Sequence, residues 1–126
     1  MRDLEIILPQ KIIDIQFIES SFKNGVKAFD SLTLFLEFQK IELFPLIDTD
    51  EIEIKISVIG NSVKQNRDSF FTPFIGKEIF INWCCINSKG YFDLFILGID
   101  SIKPTFCILS EGSSLKVLFM RSLRSD

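Results

Sequence analysis

From Glu51 to Val58 the chain alternates polar and apolar residues without a break, Glu-Ile-Glu-Ile-Lys-Ile-Ser-Val. Successive side chains of an extended strand point to opposite faces, so this stretch sets Ile52, Ile54, Ile56 and Val58 on one face and charge on the other. A helix would scatter the same residues around its circumference. The period recurs at Leu32, Leu34, Leu36 and Phe38, at Ile79, Ile81 and Trp83, and at Leu115, Val117 and Phe119. β-Branched and aromatic residues, which suit a pleated, half-buried surface, dominate these runs. Lys77 to Ile86 and Tyr91 to Ile99 flank Asn87-Ser88-Lys89-Gly90 and read as a hairpin, with Gly90 at positive φ. The expected fold class is mainly β, either all-β or β-rich α+β, built of antiparallel sheets and admitting one short helix. Partial helical periodicity at Ile12-Ile13, Phe17-Ile18 and Phe22 marks one candidate helix, and Ser62 to Asp68 another. Pro45, Pro73 and Pro104 are expected at strand edges or just before them, where a missing amide donor is tolerated.

The two halves resemble each other when the second is laid on the first with a shift of about 63 residues, which makes an internal repeat the organising expectation. Phe29-Asp30 then falls on Phe92-Asp93, Leu32, Leu34 and Leu36 on Phe95, Leu97 and Ile99, and Ile52, Ile54 and Ile56 on Leu115, Val117 and Phe119. Asp48 falls on Glu111. With three residues inserted, Lys11-x-Ile13-x-Ile15-x-Phe17 falls on Lys77-x-Ile79-x-Ile81-x-Trp83. The reading is one domain, 1–126, of two similar meanders of about four strands each, spanning about 1–60 and 70–126 and joined by the polar segment Asn61 to Ser69. Chance similarity between two alternating patterns is the competing account.

Composition narrows function mostly by exclusion. There is no histidine among the 126 residues, which removes Ser-His-Asp and Cys-His catalysis, histidine-based zinc sites and every imidazole general base. Cys84, Cys85 and Cys107 are an odd count with two adjacent members, poor geometry for a bridge, so free thiols in a reducing compartment are expected, as small hydrophobes buried on strands. Apolar runs such as Leu94-Phe95-Ile96-Leu97 fall far short of the roughly 20 residues that cross a bilayer as a helix. Asp3 and Glu5 stand where a secretory signal would be basic, which leads to the expectation of a cytoplasmic protein. A formal charge of −3 and a pI near 5.0 argue against nucleic acid and for a basic protein partner. No cofactor and no metal are expected.

Two regions stand out as candidate sites. The acidic cluster Asp48, Asp50, Glu51 and Glu53 precedes and enters a strand; it lacks the glycine and distal glutamate of an EF-hand, so a basic protein surface suits it better than a metal. A solvated turn and strand face is the plainer alternative. Ser110-Glu111-Gly112-Ser113-Ser114 reads as a turn before the last strand, with no base to activate a serine. The second region is Trp83-x-x-x-Asn87-x-x-Gly90-Tyr91-x-Asp93, which holds the sole tryptophan and the sole tyrosine. Such aromatics anchor interfaces or fill cores, and Tyr91 and Asp93 are the better surface candidates.

This segment resembles the Trp-x3-Asn-x2-Gly-Tyr-x-Asp pattern of a small, largely uncharacterised bacterial domain family. Over its whole length the chain is similar in character to the immunity proteins of polymorphic bacterial toxins and contact-dependent growth inhibition systems: small, acidic, with a Phe/Ile-rich β core and no catalytic constellation. That resemblance implies a non-enzymatic cytoplasmic antitoxin, a monomer or weak dimer, which covers the active site of a cognate toxin, often a basic nuclease. Asp48, Asp50, Glu51, Glu53, Tyr91 and Asp93 are then the partner-binding residues. The rival expectation is a β-rich ligand-binding or scaffold domain with an apolar cavity between its two halves.

Overall fold

The computed structural model describes residues 5–20, 28–59 and 71–119. Eight strands follow in order: β1 (Gln10–Glu19), β2 (Ala28–Leu36), β3 (Gln39–Pro45), β4 (Ile52–Val58), β5 (Glu78–Ile86), β6 (Phe92–Ile99), β7 (Phe106–Glu111) and β8 (Ser114–Phe119). The mainly β expectation holds, and so does the hairpin around Gly90. The helix considered at Ile12-Ile13 and Phe17-Ile18 is not formed. Those residues lie in β1, where Ile12, Ile15 and Phe17 stand opposite Leu36, Leu34 and Leu32 of β2. Phe22 and the Ser62 to Asp68 segment lie outside the described residues. One 3-10 turn, Thr72–Phe74, is present and contains Pro73, which therefore belongs to that turn rather than to a strand edge. Among the described residues no helix is long and apolar enough to cross a membrane.

All ladders are antiparallel. Pairing runs β1-β5-β6-β7-β8-β2 and returns to β1, so six strands close a barrel. The β3–β4 hairpin continues from β2, whose Ala28 and Phe29 pair with β8 while Leu32 to Phe35 pair with β3. Each half is thus a four-stranded meander.

The halves correspond more closely than apolar spacing alone suggests. In the first meander Ile12 pairs with Leu36, and the register slips between Ile12 and Asp14; in the second, Ile79 pairs with Ile99 and slips between Ile79 and Ile81. A further slip follows at Ile18/Glu19 and again at Cys85/Ile86. Even the ties that anchor the first strands match: the Lys11 amide donates to the Glu37 carboxylate at 2.9 Å, and the Glu78 amide to Asp100 at 2.9 Å. Ile12, not Ile13, is therefore the counterpart of Ile79, one residue away from the correspondence that spacing suggested. The bulge accounts for the difference. An extra residue reverses the face of everything beyond it, so Ile79 points into the barrel while Ile81 and Trp83, opposite Gly98 and Ile96, point out.

The interior is filled by Ile12, Ile15, Phe29, Leu32, Leu34, Leu36, Phe95, Leu97, Phe106, Ile108 and Leu115 among others. A run of rings crosses it. Phe17 and Phe29 of the first meander meet Phe71 at centroid distances of 5.4 and 5.6 Å; Phe71 meets Phe106 of β7 at 6.1 Å, and Phe106 meets Phe74 and Phe119 at 5.2 and 5.5 Å. Phe71, on the segment that leads into the second meander, touches both halves. Two buried amides, Gln10 and Gln39, hold the residues before β1 against the start of β3. Gln10 Nε2 donates to Gln39 Oε1 (2.8 Å) and to the Ile7 carbonyl (2.7 Å), while Gln39 Oε1 also accepts from the Ile7 amide and Gln10 Oε1 from the Phe38 amide. Burying these amides is tolerable because their donors and acceptors are met.

Truncating the ring that spans the halves should cost more than its area alone. Phe71→Ala is expected to lower unfolding free energy by about 3–5 kcal/mol in urea titration, while Phe71→Leu should lose less than about 1.5 kcal/mol. A loss under about 1 kcal/mol for the alanine variant would mean that the site collapses without Phe71 and that the two halves do not depend on it.

Candidate functional site

Three turns gather at one end of the barrel. The first joins β3 to β4. The Asp50 amide donates to the Leu46 carbonyl (2.8 Å) and the Leu46 amide to the Glu51 carbonyl (2.7 Å), a tight closure that needs Asp50 at φ 56°. Aspartate enters this left-handed region more readily than most residues. Its Oδ1 then accepts from the Ser113 amide at 3.0 Å. Ser113 sits in the β7–β8 turn, itself at φ 67°, and it is the position that falls on Asp50 in the 63-residue overlay. The two equivalent turns thus meet and bond.

The third turn is the β5–β6 hairpin, and Asn87 organises it. Asn87 Oδ1 accepts from the amides of Lys89 (2.9 Å) and Tyr91 (3.2 Å), its backbone bonds Gly90 and Tyr91, and Gly90 takes φ 86°. The same side chain donates from Nδ2 to Asp93 Oδ2 at 3.1 Å. This explains the spacing of the Asn-x2-Gly-Tyr-x-Asp segment. Asn87 shapes the turn and aims the Asp93 carboxylate at once.

Between these turns lies a pocket of about 560 Å³. Asp48 and Asp50 enter it from the first meander, and Asn87, Tyr91 and Asp93 from the hairpin. The end of β7 supplies Ser110 and Glu111. Four of the six residues expected to bind a partner, Asp48, Asp50, Tyr91 and Asp93, come together here. The other two do not. Glu51 accepts from Thr49 Oγ1 at 2.8 Å and braces the turn, and Glu53 is exposed on β4 beside the Lys55 and Glu42 of a charged outer sheet face.

Sequence reasoning missed Ser110 and Glu111. The match of Asp48 with Glu111 in the repeat was the available signal, since equivalent turns of two meanders can meet at one end of a barrel. Glu111 pairs with Lys116 at 2.9 Å. Ser110 was read as a turn residue, yet it lies on β7, is 3% exposed, and its Oγ has no hydrogen-bond partner. Lys89 is the cation among the lining side chains. Trp83 stands outside the pocket, half-buried on the outward face of β5.

The interior between the meanders is packed with aromatic and aliphatic side chains, and the pocket that both halves share is polar.

The three cysteines are free, as expected, but only Cys107 is buried; Cys85 is half-buried and Cys84 exposed. Cys84 and Cys85 lie near the Asn87 end of β5, opposite Phe95 and Leu94 of β6, whereas Cys107 lies within β7 between β6 and β8. Burial pushes the Cys84 and Cys107 thiols above the ordinary range, with the neighbouring Cys85 adding to it and Asn82 opposing it at Cys84. Neither is an activated nucleophile.

The sequence model of a family of unknown function (DUF6334) matches residues 1–124, and the chain belongs to that family. No curated protein and no solved structure matches it.

Two outcomes are expected. Asp50→Ala removes the acceptor of the Ser113 amide and places alanine at positive φ, so unfolding free energy should fall by about 1–3 kcal/mol, whereas Asp50→Asn, which keeps an acceptor and tolerates that φ, should stay close to the parent. Equal losses for both variants, read by urea titration, would remove the inter-turn bond as a stabilising contact. A raised pKa keeps a thiol protonated to higher pH, so alkylation of Cys84 by iodoacetamide should have its midpoint above that of a free cysteine. A midpoint at or below the free value contradicts the burial account.

Proposed function

We propose that this member of the DUF6334 family is a non-catalytic binding protein, an immunity protein that neutralises a cognate toxin domain by covering its active site. The observation that carries this reading is the pocket, around which four carboxylates, Asp48, Asp50, Asp93 and Glu111, gather from both halves of the chain. Asp50, Asp93 and Glu111 each have a local partner, the Ser113 amide, Asn87 and Lys116, and the acidic character that the four leave at this end suits a basic partner. A toxin groove built to hold a polyanion offers such a surface. Encounter would be steered by the carboxylates, and release slowed by Tyr91, which lines the same pocket. The absence of histidine and the raised thiols agree with a protein that acts by occupancy and not by turnover. Cytoplasmic residence, where such a toxin would act, belongs to the same proposal.

A small-ligand site is the second reading, because the pocket volume lies inside the range of roughly 300–1,000 Å³ typical of ligand sites.

The test pairs the purified chain with the toxin domain encoded beside its gene. Asp48→Lys should slow association by about ten-fold at low salt and by much less at about 500 mM, because ions screen steering. Tyr91→Ala should instead speed dissociation by about thirty-fold, equivalent to about 2 kcal/mol. Unchanged kinetics for both variants would move the interface elsewhere. A gene with no toxin beside it, together with saturable uptake of a small metabolite, would favour the second reading.

A further inference from the structure

Every other described strand pairs with at least two neighbours, whereas β4 pairs with β3 alone. The ladder tells which of its backbone groups are already bonded. At one end of the β3–β4 hairpin the Leu46 amide donates to the Glu51 carbonyl (2.7 Å), and at the other the Ile59 amide donates to the Phe38 carbonyl (3.2 Å). Hydrogen-bonded pairs alternate along an antiparallel ladder, so between these ends they fall at Phe44 and Glu53, Glu42 and Lys55, and Lys40 and Ser57. The amides and carbonyls of Ile52, Ile54 and Ile56 therefore point away from β3, along an edge that no strand occupies among the described residues.

Such an edge is a template for another strand, and charged side chains usually blunt it. Here the charges are Glu53 and Lys55, both exposed on the outer face and two positions apart. Lys55 lies over the Phe44 ring at 5.4 Å. Phe44 also stands opposite Glu53, and among the described residues that carboxylate has no ion pair.

A second β4 laid antiparallel along this edge meets the charges in a way that depends on register. A two-fold axis at Glu53 or at Lys55 sets like charges face to face, and one at Ile56 sets Lys55 against Ser57. An axis at Ile54 sets each Glu53 against the other copy's Lys55, in non-hydrogen-bonded pairs, where side chains stand closest. On the opposite face the same register puts Ile52 against Ile56 and Ile54 against Ile54. Ile54 and Ile56 are half-buried in one copy, and Val58 is 72% exposed, so this apolar face has area left to cover.

We infer that β4 is the contact strand of a homodimer, in which two copies join antiparallel about Ile54 through the backbone of Ile52, Ile54 and Ile56, with Glu53 and Lys55 fixing the register. Each copy engages the strand once, so association closes at two. The inference concerns a different surface from the barrel mouth and does not rest on the immunity reading.

The test is sedimentation velocity of the whole chain from about 10 µM to about 1 mM, the span in which a small edge contact associates. Mass should rise from monomer to dimer, and the Ile54 and Ile56 amides should exchange more slowly at the higher concentration while those between β6 and β7 keep their rates. Glu53→Lys and Lys55→Glu alter exposed side chains, so each should fold like the parent and weaken self-association by at least about ten-fold. Mixed together, the two single variants should form a heterodimer, and the variant carrying both changes should dimerise like the parent, because each case restores opposite charges across the edge. A parent chain still monomeric at about 1 mM overturns the inference. So does a dimer that the single reversals leave intact, or a mixture of the two that stays monomeric. Ile54 and Ile56 amides already protected in the dilute monomer also overturn it, since the chain itself then covers the edge.

Discussion

Two seams close the barrel by hydrogen bonding, Gln10 and Lys11 against Ile79 and Glu78, and Ala28 and Phe29 against Lys116 and Leu115. Ladders of two residues fix a corner but supply little free energy beyond what they cost in ordered backbone. What keeps the meanders together is therefore the packed interior, and above all the rings that run from Phe17 and Phe29 through Phe71 to Phe106 and Phe119. Edge-on and tilted contacts between such rings add to the burial of their area. The consequence is a barrel whose two halves share one apolar interior.

At the mouth the two meanders meet through equivalent turns. Asp50 and Ser113 both occupy positive φ, and the bond between them holds the acidic β3–β4 turn against the β7–β8 turn. Gly98 serves packing of another kind: a Cβ there would lie 2.5 Å from the Ser101 carbonyl oxygen, so the loop after β6 can cross the sheet only over glycine. The hairpin at Asn87 completes the rim. Each of these turns is specified locally, yet their convergence is a property of barrel closure, and it is this convergence that concentrates negative charge at one end.

Much of the fold was legible. Ile52 to Val58, Lys77 to Ile86 and Tyr91 to Ile99 announced strands by period, and the 63-residue correspondence anticipated two meanders. The site was legible in part. Asp48, Asp50, Tyr91 and Asp93 were recognised as two separate regions, without any indication that they share one pocket. Glu51 and Glu53 looked equally eligible because charge spacing does not reveal that Thr49 binds one and that a charged sheet face holds the other. Ser110 was lost to turn chemistry. Its neighbours Glu111-Gly112-Ser113 do form a turn, and one position decides whether a serine bends the chain or ends a buried strand.

The sequence by itself determined the period of the strands, the glycine and asparagine turn at Gly90 and the exclusion of imidazole chemistry, because each depends on composition or on residues within a few positions of one another. Tertiary structure alone decided where the bulges at Ile13 and Phe80 reverse the inward face, which carboxylates become neighbours, and that Ser110 is buried without a partner. The physical reason is that alternation has a period of two and carries no memory across an inserted residue, while pairing between distant strands is set by how the whole interior fills. Local chemistry specifies the parts of such a chain, and the closing of the barrel decides which of them meet.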